Sequence, residues 1–177
     1  LPKTIEEFEA LCDKLMEVDY NGDGKIGGPV VPACKNYMDA QLADFQPGIE
    51  KKQLTLYLEV PEFLYVTADE KGMALVLRNL ISNAVKYAPP GKAVKLRAFS
   101  EKRRVVVEVF NEGPPVAERD LPYLWDAFYR AEESRTRENG GSGMGLAIVK
   151  AVLDQHRARY GVYNKSGGVY FWFSLPS

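Results

Sequence analysis

Cysteine is scarce in this chain: only Cys12 and Cys34 occur among 177 residues. Their spacing makes neither a metal-ligand pattern nor a disulfide framework, which points to reduced thiols in a cytosolic compartment. Apolar runs of membrane-spanning length are missing, and so is a signal peptide. Net charge is nearly missing as well: at -1 there is no electrostatic case for a nucleic-acid or membrane-surface partner. The phosphate loop Gly-x-x-x-x-Gly-Lys-Ser/Thr does not occur. The one glycine-rich turn that feeds a helix follows no parallel-strand unit, which excludes a dinucleotide fingerprint. What the chain does have is a 46% hydrophobic composition, enough for one sizeable core plus an appendage. It opens at Leu1 rather than Met, as expected of a piece excised from a longer protein.

The stretch from Arg78 to Pro89 organises the rest. At helical spacing Leu77, Ile81, Ala84 and Ala88 fall on one face, as a core-packed helix requires. Asn79, Asn83, Lys86 and Tyr87 fall on another, within an arc of roughly 100°. Two amide oxygens, a cation and an aromatic hydroxyl there suit a metal-bound polyphosphate. Taken alone, they also suit an ordinary solvated face.

In chain order, Ile5, Phe8, Cys12 and Leu15 recur at helix spacing, and Thr4 with Glu7 forms a capping-box signature. That stripe either packs on the domain behind it or belongs to a shortened helical dimer stalk. Asp19 to Ile26 reads like the first half of a calcium loop. Val30, however, stands where a bidentate Glu is needed, and Gly27, Gly28 and Pro29 break the exit helix, so a plain turn is expected. Ala33 to about Lys52 reads as helical, kinked at Pro47. Leu54 to Val60 and Phe63 to Thr67 read as strands. Asp69 is placed to cap the long helix, and Pro89-Pro90-Gly91 to stop it. Ala93 to Phe99 and Arg104 to Phe110 form a hairpin that should lie on the helices. Asn111 to Ser142 is a long excursion without strand pattern, in which Leu124, Trp125, Phe128 and Tyr129 make an apolar turn of helix that pins it. Gly141 to Lys150 runs from a loop into a helix that reaches about His156, and Arg159 to Leu175 closes the chain with a hairpin.

A glycine-led helix start offers unpaired backbone N–H groups and a positive dipole end to an anion. Set beside the asparagine-bearing helix and Asn111-Glu112-Gly113-Pro114, the order becomes specific. The chain resembles the ATP-binding catalytic domain of sensor histidine kinases, in the gyrase-like GHKL superfamily. Arg78 to Pro89 looks like the N box, Asn111 to Pro115 the G1 box, Leu124 to Arg130 the F box and Gly141 to Leu146 the G2 box. The resemblance covers about residues 42–176. It implies an α+β fold of the Bergerat type: a two-layer α/β sandwich whose mixed, mostly antiparallel sheet carries helices on one face. Residues 33–177 would be the catalytic domain, with a mobile lid at about 113–142. Residues 1–32 would be the remnant of the dimerisation stalk and its connecting turn.

The resemblance also implies ATP and Mg²⁺ as cofactors. Asn83 looks like the metal ligand, through its side-chain oxygen. Lys86 and Arg130 are expected to meet phosphate oxygens, and Tyr87 to line the nucleotide. Asn111 and Gly113 belong to the adenine side, and Gly141, Gly143, Gly145 and Leu146 to the phosphate cradle. ATP-hydrolysing relatives carry a Glu where this chain has Asn79. An amide is no general base at neutral pH, so transfer to an already nucleophilic imidazole is favoured over hydrolysis.

Two departures stand out. Asn111 replaces the usual Asp, which costs the adenine contact its charge assistance, and Pro115 replaces the last glycine of its box. The only histidine, His156, reads as a helix-end residue rather than a phosphoacceptor. The acceptor is expected on a dimerisation domain outside this sequence, in a parent that is homodimeric, anchored in the cell membrane and served by a response-regulator receiver domain. The fragment itself would be cytoplasmic, touching neither membrane nor nucleic acid. Against this kinase reading stand a nucleotide-binding or protein-interaction module without turnover, and a serine-directed anti-sigma-type kinase of the same superfamily. The long F-box-bearing excursion disfavours the last of these.

Overall fold

The computed structural model describes residues 30–33, 35–130, 142–165 and 167–176. The expected stalk helix, the Asp19 to Ile26 turn, both cysteines and Gly141 lie outside the described residues. Strand β1 (Val30–Pro32) is followed by helices α1 (Lys35–Leu42) and α2 (Gln46–Lys51), with a 3-10 turn, Ala43–Phe45, between them. The expected kink is thus a full break, and Pro47 sits in the first turn of α2, where its missing N–H costs nothing. Strands β2 (Thr55–Glu59) and β3 (Tyr65–Thr67) lead into the long helix α3 (Glu70–Tyr87). The hairpin β4 (Ala93–Glu101) and β5 (Arg104–Glu112) follows, then helix α4 (Gly145–Gln155) and the closing hairpin β6 (Arg159–Lys165) and β7 (Gly168–Pro176).

The main sheet has the order β2-β4-β5-β7-β6. Only β2 and β4 pair in parallel; every other neighbour is antiparallel. A separate ribbon pairs β1 with β3. Alternation decides the faces. Val94, Leu96 and Ala98 of β4, Val105, Val107 and Val109 of β5, and Val169, Phe171, Phe173 and Leu175 of β7 are buried. Against them lie the apolar stripes of α3 (Val76, Leu77, Leu80, Ile81, Ala84) and α4 (Val149, Val152, Leu153). The fold is therefore the expected two-layer α+β sandwich with helices on one face. The other face is half exposed and carries a charge ladder. There Glu59 meets Lys95 and Arg97 at 2.9 Å each, and Arg97 meets Glu108 at 2.8 Å. Stacked Tyr163 and Tyr170 (5.0 Å) continue that face.

Helix α3 starts where the sequence says it should. The Asp69 carboxylate accepts the Gly72 N–H, and Glu70 complements the dipole. It ends because Pro89 drives Ala88 into extended backbone (ψ 126°). His156 closes α4 and ties the two helices: its Nε2 accepts the Asp69 N–H (3.0 Å), and its Nδ1 lies 2.7 Å from the Val152 carbonyl. A ring committed on both nitrogens fits the helix-end reading.

Two tyrosines give the fold a titration signature. Burial, then the nearby Glu70 and Asp69, push the Tyr37 hydroxyl up to about 12. Burial, then Glu108, does the same for Tyr163, also to about 12. Because the folded state holds these protons more tightly than an unfolded chain with tyrosines near 10, their contribution is intact below about pH 10 and is lost as pH rises towards 12. Melting temperature followed from pH 9 to 12 should fall through that window. Absorbance at 295 nm should show these two phenols ionising late beside Tyr160, which burial and Asp154 also push up, with Tyr37→Phe and Tyr163→Phe each removing one late phase.

Candidate nucleotide site

The site lies at the end of the sandwich where α3 finishes and α4 begins. Asn79, Asn83, Lys86 and Tyr87 of α3 are all half-buried, while Leu77, Ile81, Ala84 and Ala88 are sealed in the core. The arc read from the sequence thus stands at the edge of the core. The Asn79 Nδ2 donates to the Leu75 carbonyl (2.8 Å), one turn back on its own helix. That bond fixes the amide so that its Oδ1 faces α4: a Cβ on Gly145 would come within 2.9 Å of it. Any side chain at 145 would displace the Asn79 amide from this position. The Lys86 ammonium stands 5.2 Å from the Tyr87 ring centroid, a cation–π distance.

The glycine turn into α4 is shaped by a second close approach. Gly143 has φ +76°, and a Cβ there would meet the Phe128 backbone at 2.9–3.1 Å. The Phe128 N–H donates to the Gly143 carbonyl (3.1 Å). Phe128 itself takes φ +65° and stays exposed, so the segment is held here by its backbone rather than by ring burial. Met144 offers no side-chain cap to α4, and the first-turn N–H groups of a helix have no partner within it. Leu146 packs on the core and holds this turn down.

Asn111 and Glu112 are the last residues of β5, so the excursion begins two residues later than the sequence indicated. Asn111 pairs with Val94 and Val169 and shares the helix-covered face with Val107 and Val109. It is buried at the end of the strand, 4% exposed. Gly113 (φ +154°) comes next: its N–H donates to the Gly167 carbonyl at 2.9 Å, and a Cβ would lie 3.1 Å from the Pro89 ring and 3.6 Å from the Tyr87 carbonyl.

The excursion is pinned, though not by the helical turn expected at Leu124 to Tyr129. The helical piece is a 3-10 turn at Leu121–Tyr123, followed by bonded turns, because Pro122 favours the start of such a turn over its continuation. Trp125 packs edge-on against Tyr160 (4.9 Å) and Phe171 (6.0 Å), and Tyr129 donates to Asp120 (2.7 Å). Asn164 of β6 grips the Val116 N–H and carbonyl at 3.0 and 2.8 Å. Nothing in its spacing marks Asn164 beforehand. Arg130 ends this described segment, half-buried.

Three contacts therefore join four segments far apart in sequence: Asn79 with Gly145, Phe128 with Gly143, and Gly113 with Pro89. No group of three His, Cys, Asp or Glu side chains able to hold a metal occurs among the described residues. A family profile described as histidine kinase-, DNA gyrase B-, and HSP90-like ATPase matches residues 68–177, which include all four segments. The chain belongs to that family. Within it, the chain is 37% identical over 148 residues to the sensor histidine kinase CusS of Escherichia coli O157:H7, covering 72% of this chain and 31% of CusS. It is 35% identical over 175 residues to the sensor protein VanSB of Enterococcus faecalis, covering 98% of this chain and 39% of VanSB. The chain thus spans about a third of the length of these relatives. Among solved structures, the nucleotide-free catalytic domain of histidine kinase ThkA superposes with a TM-score of 0.74 at 26% identity, covering 84% of this chain and 95% of that one. No helix among the described residues is long and apolar enough to cross a membrane.

Proposed function

We propose that this ATPase-family domain binds Mg-ATP between α3 and α4 and donates the γ-phosphoryl group to a histidine on a dimerisation domain of a longer, membrane-anchored homodimeric protein, which then serves a response-regulator receiver domain. The observation that carries this reading is the approach of Asn79 to Gly145, which brings the amide-bearing helix against the N-terminus of α4. Asn83 offers a neutral amide oxygen suited to Mg²⁺, and with no acidic cluster at hand the phosphates would supply the remaining negative charge. Held there by Asn83, Mg²⁺ would supply charge neutralisation to the transferring group.

The chain's own residues then do the positioning. Lys86 and Arg130 meet phosphate oxygens, the N–H groups from Gly143 to Leu146 cradle them, Tyr87 lines the nucleotide, and Asn111 accepts from the adenine amino group beside Gly113. The bond from the γ-phosphorus to its bridging oxygen breaks as one to an imidazole nitrogen forms, and ADP leaves. Asn79 supplies no base, and none is needed by a neutral imidazole. Positioning and charge neutralisation account for the rate.

The test adds a histidine-bearing dimerisation domain in trans and follows labelled phosphate from ATP. Acid-labile label on that domain is the expected result, whereas nucleotide binding without transfer would leave a non-catalytic module. Asn111 carries a second prediction. Restoring a carboxylate by Asn111→Asp should tighten ATP several-fold in calorimetry, since a charge-assisted hydrogen bond is about twice as strong as a neutral one. Looser binding in the variant would reject Asn111 as the adenine contact.

A further inference from the structure

Helix α3 presents its C-terminal end to the site, and a helix end of that kind is a poor neighbour for a polyphosphate. Its last carbonyls carry partial negative charge and, from Val85 onwards, find no partner within the helix. The structure supplies one from elsewhere. Lys52, the residue that closes α2, sends its ammonium to the carbonyls of Val85 (2.8 Å), Lys86 (2.6 Å) and Ala88 (3.0 Å). Three donors meet three acceptors, which is all an ammonium can give in hydrogen bonds.

The backbone around Lys52 is built for this. Gln53 takes φ +53°, turning the chain back, and the Lys52 carbonyl accepts the Gly91 N–H (2.9 Å). Gly48 of α2 lies so near α3 that a Cβ would sit 3.2 Å from Val85. One residue therefore grips both the last turn of α3 and the loop that follows it. On the far side of that turn, the Tyr87 carbonyl and Pro89 abut Gly113.

We infer that Lys52 is a positioning residue of the nucleotide site: it fixes the turn bearing Asn83, Lys86 and Tyr87, and it offsets the helix end's negative field where an anion must bind. Its side chain is committed to three main-chain oxygens and acts through α3 rather than on the nucleotide. The inference rests on the nucleotide reading above, and the experiment separates the two.

The experiment is calorimetric titration of the fragment with Mg-ADP and with a non-hydrolysable Mg-ATP analogue, beside melting temperatures. Wild-type protein that takes up neither nucleotide overturns the site reading itself, before any variant enters. Given wild-type binding, Lys52→Met should raise Kd by about five- to twentyfold, more for the triphosphate than for the diphosphate because the field acts on charge. Lys52→Arg, which keeps charge and donors, should recover most of that loss. Leu175→Val, at the opposite end of β7 where it pairs with Val105, should lower the melting temperature and leave Kd unchanged, which separates a loosened fold from a loosened site. If Lys52→Met does not fold, Lys52→Gln, which loses the charge but keeps a donor, takes its place. A Kd within twofold of wild type in the neutral variant, or equal losses for di- and triphosphate in Lys52→Met and Lys52→Arg alike, overturns the inference.

Discussion

Gly143→Ala should lower affinity for Mg-ATP at least tenfold while leaving the sheet and the α3–α4 packing intact. Two costs fall on one methyl group. The residue holds φ +76°, a conformation that costs an L side chain about 1–2 kcal/mol. The new Cβ would also stand 2.9–3.1 Å from the backbone of Phe128, and backbone cannot swing aside as a side-chain tip can. Relief must come from rotating the 143–144 peptide or from parting the excursion from the turn. Either movement breaks the Phe128 to Gly143 hydrogen bond and re-aims the N–H groups that would cradle phosphate. At 1.4 kcal/mol per tenfold in an equilibrium constant, the strain gives about five- to thirtyfold, and the contact with Phe128 adds to it. Calorimetry gives the affinity, and far-ultraviolet circular dichroism confirms that the fold persists. Unchanged affinity would remove the glycine turn from the site.

The largest effect on stability is expected from Gly168→Ala. A Cβ there would lie 2.3 Å from the Asn111 carbonyl and 2.3–2.6 Å from the Phe110 ring, distances no packed atoms tolerate. Gly168 faces Glu112 across the β5–β7 ladder, and the Phe110 ring leans on Tyr170 at 4.5 Å. The strand pair would have to splay or the aromatic cluster repack. Overpacking of this kind costs about 3 kcal/mol, which for a domain of this size means a melting temperature lower by roughly 10 °C. Asn111 lies at the same splayed end, so nucleotide affinity should fall with stability. Gly167→Ala, whose Cβ meets nothing within 4 Å, serves as the control: its strain is confined to φ +74°, and a loss as large as that at 168 would refute the steric account.

Much of this was readable beforehand, wherever a residue's chemistry acts on its own stretch of backbone. Asp69 caps and Pro89 stops α3 because a carboxylate and a ring act within a few bonds of themselves. The alternating valines of β4 and β5 announce their buried face for the same reason. Contacts between segments are less legible. Asn79 could be placed on a helix face but not against Gly145, since that contact depends on how two helices cross. The turn joining β4 and β5 uses Lys102 and Arg103 at φ +47° and +61°, where sequence rules look for Asn-Gly. Long-range pairing with β7 and β2 holds the hairpin in place and overrides that local preference. Lys52 was silent because a lysine at a helix end usually faces water, and only the fold puts the end of α3 beside it. Helical spacing put Asn83 and Lys86 on the polar arc of α3, whereas Arg130 and the roles proposed for all three came only through the family's boxes, since a cation on an edge has no spacing signature of its own.

The antiparallel union of β5 with β7 has a further consequence for how such domains diversify. The chain leaves the ladder after Glu112, which faces Gly168, and rejoins the helical layer at Gly145, where α4 begins, so both ends of the stretch between them are held by the framework. A clamped loop costs entropy only as the logarithm of its length, about 0.6 kcal/mol for each doubling. Descendants of this chain could therefore lengthen, shorten or rewrite the stretch between β5 and α4 at little thermodynamic penalty while the framework beneath stays as it is.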